Sequence, residues 1–301
     1  MRELTERLRA FASPERVLED EPMSRHTTFR LGGPADVLFL PASAEETARA
    51  IQAARALNEP CFVMGNGSNL LVKDGGVRGL VIEIGEPMSG IAVEGTTVRA
   101  QAGASLTHLA REAAAASLQG LAFASGIPGS VGGAVAMNAG AYGGEIKDVL
   151  TRTLVLERGT PVWKTAEELH LSYRNSDVLR QGLIVLEAEF GLASGDREAI
   201  LAEMSELARR RREKQPLTMP SAGSTFKRPE GHFAGALIEA SGLKGFKVGG
   251  AQVSELHAGF IVNAGGATAR DVLDLIEAVT ARVRADSGVT LEPEVRVIGE
   301  E

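Results

Sequence analysis

The segment SGIPGSVGGAVAMNAGAYGG, residues 125 to 144, holds seven glycines in twenty positions and no charged side chain. Pro128 fixes one turn, which suits a preformed site that brings backbone N–H groups against a ligand. Around Pro128, which has no N–H of its own, Ser125, Gly126, Gly129, Ser130, Gly132, Gly133 and Ala134 supply N–H groups and two hydroxyls, with no side chain bulky enough to exclude a flat ligand. A second segment, VMGNGSNLLV, residues 63 to 72, places Gly65 and Gly67 around Asn66, with Ser68, Asn69 and Leu70 following. It reads as a loop between two strands, so it is no Rossmann turn, and it lacks the Gly-Lys-Ser/Thr of a phosphate-binding P-loop. Alone it is either a Gly/Asn hairpin turn or a nest of successive N–H groups that holds an anion. Two such segments in one domain favour a dinucleotide, the competing use of the glycines being tight strand crossings.

These segments need elements to hold them. SAEETARAIQAARALNEP, residues 43 to 60, opens with a capping box, Ser43 with Glu46, and keeps helical spacing up to Pro60. CFVM, LLV, LVIEI, IAVEGTTVRAQAG, TRTLVLE and LIVLEAEF predict strands, and EELHLSYRNSD predicts a loop. SLTHLAREAAAAS is expected to be a helix capped by Ser105, and Asp196 to open a long helix that stops before Pro216. Beyond the irregular SAGSTFKRPEG come a short helix closed by Gly242, the strand AGFIVN, a capped helix ending in a glycine stop, and a final strand LEPEVRVIG. The pattern divides the chain into residues 1–195, in two lobes of about 1–80 and 81–195, then 196–290, and a closing strand 291–301.

Composition narrows the classes. The 301 residues are 44% hydrophobic and 24% charged, which is globular, and the net charge of −7 gives no electrostatic footprint for nucleic acid. Aromatic residues, at 4%, are too few for a platform that stacks bases. No apolar run has the length of a signal peptide core or a membrane span, so a cytoplasmic protein is expected. The sole cysteine, Cys61, excludes disulfides within the chain and is expected to be a buried thiol. His26, His108, His170 and His232 lack metal-ligand spacing, and no metal site is expected.

HTTFRLGGPAD (26–36), MGNGSNLLV (64–72), SGIPGSVGGAVAMNAGAYG (125–143), YRNS (173–176), AGSTFKRP (222–229), AQVSELHAGFIVN (251–263) and LEPEVRVIG (291–299) together resemble the UDP-N-acetylenolpyruvoylglucosamine reductase (MurB) family. The first three are shared more loosely with the superfamily of FAD enzymes related to vanillyl-alcohol oxidase. The resemblance implies an α+β fold, with a two-lobed PCMH-type FAD-binding domain and a smaller α+β substrate-binding domain. FAD would lie against the glycine-rich segments, with GNGSN on its pyrophosphate. NADPH would reduce the flavin, which would then reduce the enolpyruvyl ether of UDP-N-acetylglucosamine to the lactyl ether, a peptidoglycan precursor.

By resemblance Ser224 is the proton donor, Arg174 binds the substrate carboxylate and Glu294 is the active-site glutamate, with Glu292 on the same strand face as the alternative. Arg296 is expected beside Glu294, two residues on along that strand. Tyr173, Lys214, Gln215 and His257 are expected at the substrate or the nicotinamide nucleotide, with Lys227 and Arg228 weaker candidates. The run Arg209 to Arg212 either meets phosphates or answers the helix dipole. The compact chain resembles the shorter subclass without an added lid, and is expected to act as a monomer on small molecules. Two rivals stay open: another FAD oxidase or dehydrogenase of the superfamily, and a nucleotide-sugar binding protein without turnover.

Overall fold

In the computed structural model, which describes residues 1–301, helices form where the sequence supplies helical spacing and a stop. The first are α1, Arg2–Arg9, and α2, Ala44–Ala56. At the start of α2 the Ser43 hydroxyl accepts from the Glu46 N–H at 3.1 Å, but the expected box is only half formed. The Glu46 carboxylate accepts instead from the Ala42 N–H at 2.7 Å and takes the Arg16 guanidinium on both oxygens. Arg16 also donates to the Leu40 carbonyl at 3.0 Å, so the pair ties α2 to the start of the strand Val17–Pro22 and to the end of Pro34–Phe39.

Both side chains of this pair are mostly shielded, 20% and 17% exposed. The Arg16 hydrogen bond holds the Glu46 carboxyl below its ordinary value of 4.5. A lowered folded-state value means stability that is present above pH 4.5 and lost as pH falls through the folded value. Glu46→Gln is therefore expected to lower stability by about 1–2 kcal/mol at neutral pH. The deficit should close in melts run well below pH 4.5; a deficit independent of pH would remove the ion pair as its source.

α3 is Leu106–Ala115, capped by Ser105 through the His108 N–H. α4, Val131–Met137, lies inside the glycine-rich segment, where the composition predicts only loop. Two glycines in seven residues disfavour a helix, yet Ser130 caps it, Asn138 ends it in the left-handed region at φ 42°, and Val131, Ala134 and Val135 are buried. α5 is Asp177–Gln181, α6 Arg197–Lys214, α7 Ala234–Ala240 and α8 Ala269–Ser287. α8 carries a complete capping box, Thr268 with Asp271, and the glycine stop is Gly288 at φ 74°.

The chain gathers into two units, one of Met1–Glu19, Val37–Asn66 and Gly79–Arg210, the other of Asp20–Asp36, Gly67–Arg78 and Arg211–Glu301. This partition cuts the chain elsewhere than 195/196 and 290/291: residues 20–36 and 67–78 join the C-terminal half, and the later boundary falls within α6. The reason is burial. Phe29, Leu31 and Leu71 pack in one core with Ile238, Val253 and Leu275, and strand periodicity cannot say which core a strand will join.

The first unit has two sheets. One has strand order Val17–Pro22, Pro34–Phe39, Val77–Glu83, Cys61–Met64. The other runs Thr160–Thr165, Leu150–Glu157, Ile184–Gly191, Thr97–Gln101, Ile91–Glu94, antiparallel throughout. Its edge strand Thr160–Thr165 has no buried face and includes Pro161, so it gives no alternation to read. A single core including Phe39, Leu80, Ile82, Leu109 and Phe190 serves both sheets. Each such side chain contributes roughly 1.5–3 kcal/mol when fully buried.

Cys61 is exposed, contrary to the expected burial, because it starts its strand at the sheet's end. Crowding around the sulfur still pushes the thiol up to about 11, so it is protonated at neutral pH and no nucleophile. In the second unit Lys247–Val248, Ala251–Val253 and Ile261–Asn263 form an antiparallel sheet packed with α7 and α8. There, too, Arg296–Ile298 runs parallel to Leu70–Val72. No helix is long and apolar enough to cross a membrane.

Candidate active site

In the first unit Gly65 follows the strand Cys61–Met64 and abuts the start of α4: a Cβ built on it would fall 2.0 Å from Ser130 Oγ. Ser130 is buried, and its hydroxyl is spent on the cap, accepting from the Gly133 N–H at 3.4 Å. The opening N–H groups of α4 are spent as well, Val131 on the Ala104 carbonyl and Gly132 on the Ala102 carbonyl, each at 2.8 Å. The end of α4 therefore offers no helix-terminal anion site. What remains are the N–H groups of Gly129 and Ser130, and those of Gly65, Asn66, Gly67 and Ser68 along the other segment, none of which donates within the protein.

Gly67 must be glycine: it lies at φ 58°, and a Cβ would fall 2.1 Å from the His26 carbonyl. In each unit the glycines lie against protein where a side chain would clash, and the unspent N–H groups of Gly65, Asn66, Gly129 and Ser130 in the first unit are donors of the kind the pyrophosphate of a dinucleotide such as FAD requires. Gly65→Ala is expected to displace Ser130, lose a cap worth about 1 kcal/mol and lower the flavin retained per chain. The check is the ratio of flavin to protein absorbance after gel filtration; full flavin content would sink this reading.

Tyr173 and Arg174 form the tip of a tight turn, closed where the Ser172 and Asn175 main chains bond reciprocally at 2.9 and 3.1 Å. Arg174 sits at φ 56°, which costs a non-glycine residue roughly 1 kcal/mol or more. Arg30 and Arg158 share this backbone region, so it is the surroundings of Arg174 that set it apart. Its Nη2 donates to the Gly140 carbonyl at 3.4 Å, and its guanidinium lies 5.2 Å from the centre of the half-exposed Tyr173 ring. Lys147 first, then Asn138 and the Arg174 charge, hold the nearby Glu145 carboxyl below the usual range. Arg174 is thus a half-buried cation held against the glycine-rich segment, able to fork a carboxylate.

In the second unit the sequence AGSTF alternates sharply. Ala222, Thr225 and Phe226 are buried, Gly223 turns at φ 76°, and Ser224 is exposed. Thr225 is fastened on three sides: its N–H donates to the Gly259 carbonyl at 2.8 Å, its Oγ1 accepts from the Ile261 N–H at 2.9 Å, and its carbonyl accepts from the Glu294 N–H at 2.8 Å. The Glu294 carbonyl accepts from Asn69 Nδ2 at 3.2 Å, so both main-chain groups of Glu294 are held. One backbone hydrogen bond therefore sets the residue beside Ser224 against Glu294.

The closing strand is shorter than expected. Only Arg296–Ile298 is strand; residues 292 to 294 pair irregularly with 225 to 227, Lys227 N–H to Glu292 carbonyl at 2.8 Å and a bridge between Phe226 and Pro293. Pro293 has no N–H to extend a ladder, and the chain changes partner after Glu294. Glu294 and Arg296 thus do not share a strand face. Glu292 is exposed and its carboxylate meets Lys227 Nζ at 3.2 Å, whereas Glu294 is half-buried beside the Ser224 segment.

The remaining residues are spread through the two units. Lys214, exposed, ends α6, and the half-buried Gln215 donates its N–H to the Arg211 carbonyl at 2.8 Å. Arg209 and Arg210 both meet Glu206, at 2.8 and 2.7 Å, bringing its carboxyl down to about 2. His257 Nδ1 accepts from the Gly259 N–H at 3.0 Å and its ring packs edge-on to Phe260. Burial lowers its pKa, so it is neutral at pH 7 with the proton on Nε2. Arg296 is exposed and donates its N–H to the Asn69 carbonyl at 3.0 Å. Sequence reasoning missed Thr225 and Asn138, both buried polar residues inside the motifs, for which a polar type in an apolar run was the only signal.

Residues 35–164 match the model of an FAD binding domain, and 215–298 match that of the C-terminal domain of UDP-N-acetylenolpyruvoylglucosamine reductase. The reductase of Alkaliphilus oremlandii is 53% identical over 286 residues, 95% of this chain and 94% of its own. That of Syntrophomonas wolfei is 51% identical over 293 residues, 97% and 98% of the two chains. The crystal structure of the Thermus caldophilus enzyme superposes with a TM-score of 0.80 at 39% identity, covering 93% of this chain and 97% of that one. With likeness of this depth running through both halves of the sequence, the chain belongs to the UDP-N-acetylenolpyruvoylglucosamine reductase family of flavin-dependent oxidoreductases.

Proposed function

We infer that the chain reduces UDP-N-acetylglucosamine enolpyruvate to UDP-N-acetylmuramate, using FAD and NADPH. The observation that carries the residue assignment is the Thr225 to Glu294 hydrogen bond, which joins an exposed serine to a half-buried glutamate on a fixed backbone. FAD, when bound, would supply the hydride-transfer chemistry that no side chain here can, between NADPH and the terminal carbon of the enolpyruvyl group. Gly65, Asn66, Gly67, Ser68, Gly129 and Ser130 would hold its phosphates through main-chain N–H groups.

Ser224 holds on Oγ the proton that the carbon next to the carboxylate must take up. A serine is a weak acid, so the anchoring of Thr225 matters: it fixes the main chain from which the hydroxyl projects. Arg174 grips the carboxylate, where negative charge grows as the double bond is lost, and a rigid cation there favours the enolate over the ground state. Glu294 is the glutamate of the site, held by its main chain beside the Ser224 segment. Tyr173, Lys214, Gln215, His257 and Arg296 orient the nucleotide sugar or NADPH. The enzyme acts as a monomer in the cytoplasm, and cell shape and division depend on its product through peptidoglycan.

The test is an anaerobic absorption spectrum of the purified protein, recorded alone, after NADPH and after the enolpyruvyl substrate. Flavin bands that bleach with NADPH and return with that substrate establish both half-reactions. Bands that return only with oxygen would favour a different oxidase of the superfamily, and no bleaching at all would favour a binding protein.

A further inference from the structure

The turn that carries Arg174 hangs from the end of α4 at two points. Ser176 Oγ, fully buried, donates to the Ala136 carbonyl at 2.7 Å. Asn138, only 1% exposed, donates from Nδ2 to the Ser172 carbonyl at 3.1 Å and to Glu145 Oε2 at 2.8 Å, while its Oδ1 accepts from the Lys147 N–H at 2.9 Å. With its nitrogen on two acceptors and its oxygen on a donor, the amide has one satisfiable orientation. Its backbone is the left-handed cap of α4. Ser172 is the residue that closes the Arg174 turn.

We propose that Asn138 is a positioning residue for the reaction: its buried amide fixes the Ser172–Asn175 turn to α4 and so aims the Arg174 guanidinium. The assignment rests on the reading of Arg174 as the carboxylate-binding group. α4 then serves as a ruler. Its first residue follows the Ser130 cap against Gly65, its end holds the arginine turn, and its seven residues set the two roughly 10 Å apart.

The test uses the holoenzyme carrying Asn138→Gly, which keeps the left-handed cap and deletes only the amide. Expected are unchanged flavin content and NADPH-driven bleaching, with kcat/KM for the enolpyruvyl substrate lowered on the order of 10²-fold, mostly through KM. Independently of activity, trypsin should cut after Arg174 at least about tenfold faster as the turn opens locally. Wild-type KM and wild-type cleavage overturn the proposal, as does equal loss of both half-reactions. If the glycine variant does not fold, Asn138→Asp combined with Glu145→Gln answers the same question, since the pair keeps the cap and the acceptor, avoids two facing carboxylates and loses the donor to Ser172. Arg174→Ala measured alongside separates the two readings. If it binds and turns over substrate normally, the carboxylate assignment itself falls; if it is impaired and the Asn138 variants are not, the positioning role falls.

Discussion

Ser224→Ala enzyme mixed with NADPH under anaerobic conditions should lose its flavin colour at close to the wild-type rate, then regain it with the enolpyruvyl substrate on the order of 10²- to 10⁴-fold more slowly. The asymmetry follows from what the hydroxyl does. Proton delivery belongs only to the second half-reaction, and the variant leaves the main chain that fixes the site untouched, because Thr225 rather than Ser224 carries the three anchoring hydrogen bonds. Gly223 and its positive φ are also unaffected, so the fold has no reason to change. Stopped-flow traces of the two half-reactions decide the matter. Equal slowing of both would remove Ser224 as the proton donor and make it a structural residue of the turn.

Arg174→Ala should cost roughly 10²- to 10⁴-fold in kcat/KM for the enolpyruvyl substrate, from the loss of two charge-assisted hydrogen bonds of about 1.5–3 kcal/mol each. Arg174→Lys should recover little, since an ammonium keeps the charge and loses the planar fork. The stability of these variants carries a second, opposite signal. A residue held at φ 56° pays for its placement in backbone strain, so Arg174→Gly should melt no lower than the wild type while losing the same activity. A variant that lost activity and melting temperature together would instead mark Arg174 as a structural residue, its bond to the Gly140 carbonyl being the part that mattered.

The legibility of this chain in its sequence was uneven, for physical reasons. α2, α3 and α8 were readable because local rules suffice: a hydroxyl cap, helical spacing and a stop are all written within twenty residues. α4 was not, because two glycines hide a helix whose stability comes from the burial of Val131 and Val135 and from caps at both ends. The glycines at 65 and 67 were legible as a close approach, but not what they approach, which is Ser130 for one and the His26 carbonyl for the other. Ser224, Arg174 and Glu294 stood out only by resemblance to a family; nothing in their local spacing predicts that Glu294 meets Thr225. Periodicity likewise assigned the segment 291 to 299 to one strand, whereas Pro293 and a change of partner leave only three residues of it as strand.

Asn69 and Glu294, joined by a side-chain hydrogen bond, are 225 positions apart in the sequence. A ribosome adding roughly 5–20 residues per second needs roughly 10–45 s to travel between them. Throughout that interval Asn69 lacks this partner, though every residue matched by the FAD-binding family has been made once residue 164 is reached. A nascent chain, or a fragment stopped before Glu294, carries every residue matched by the FAD-binding family and still lacks the carbonyl that the Asn69 side chain holds.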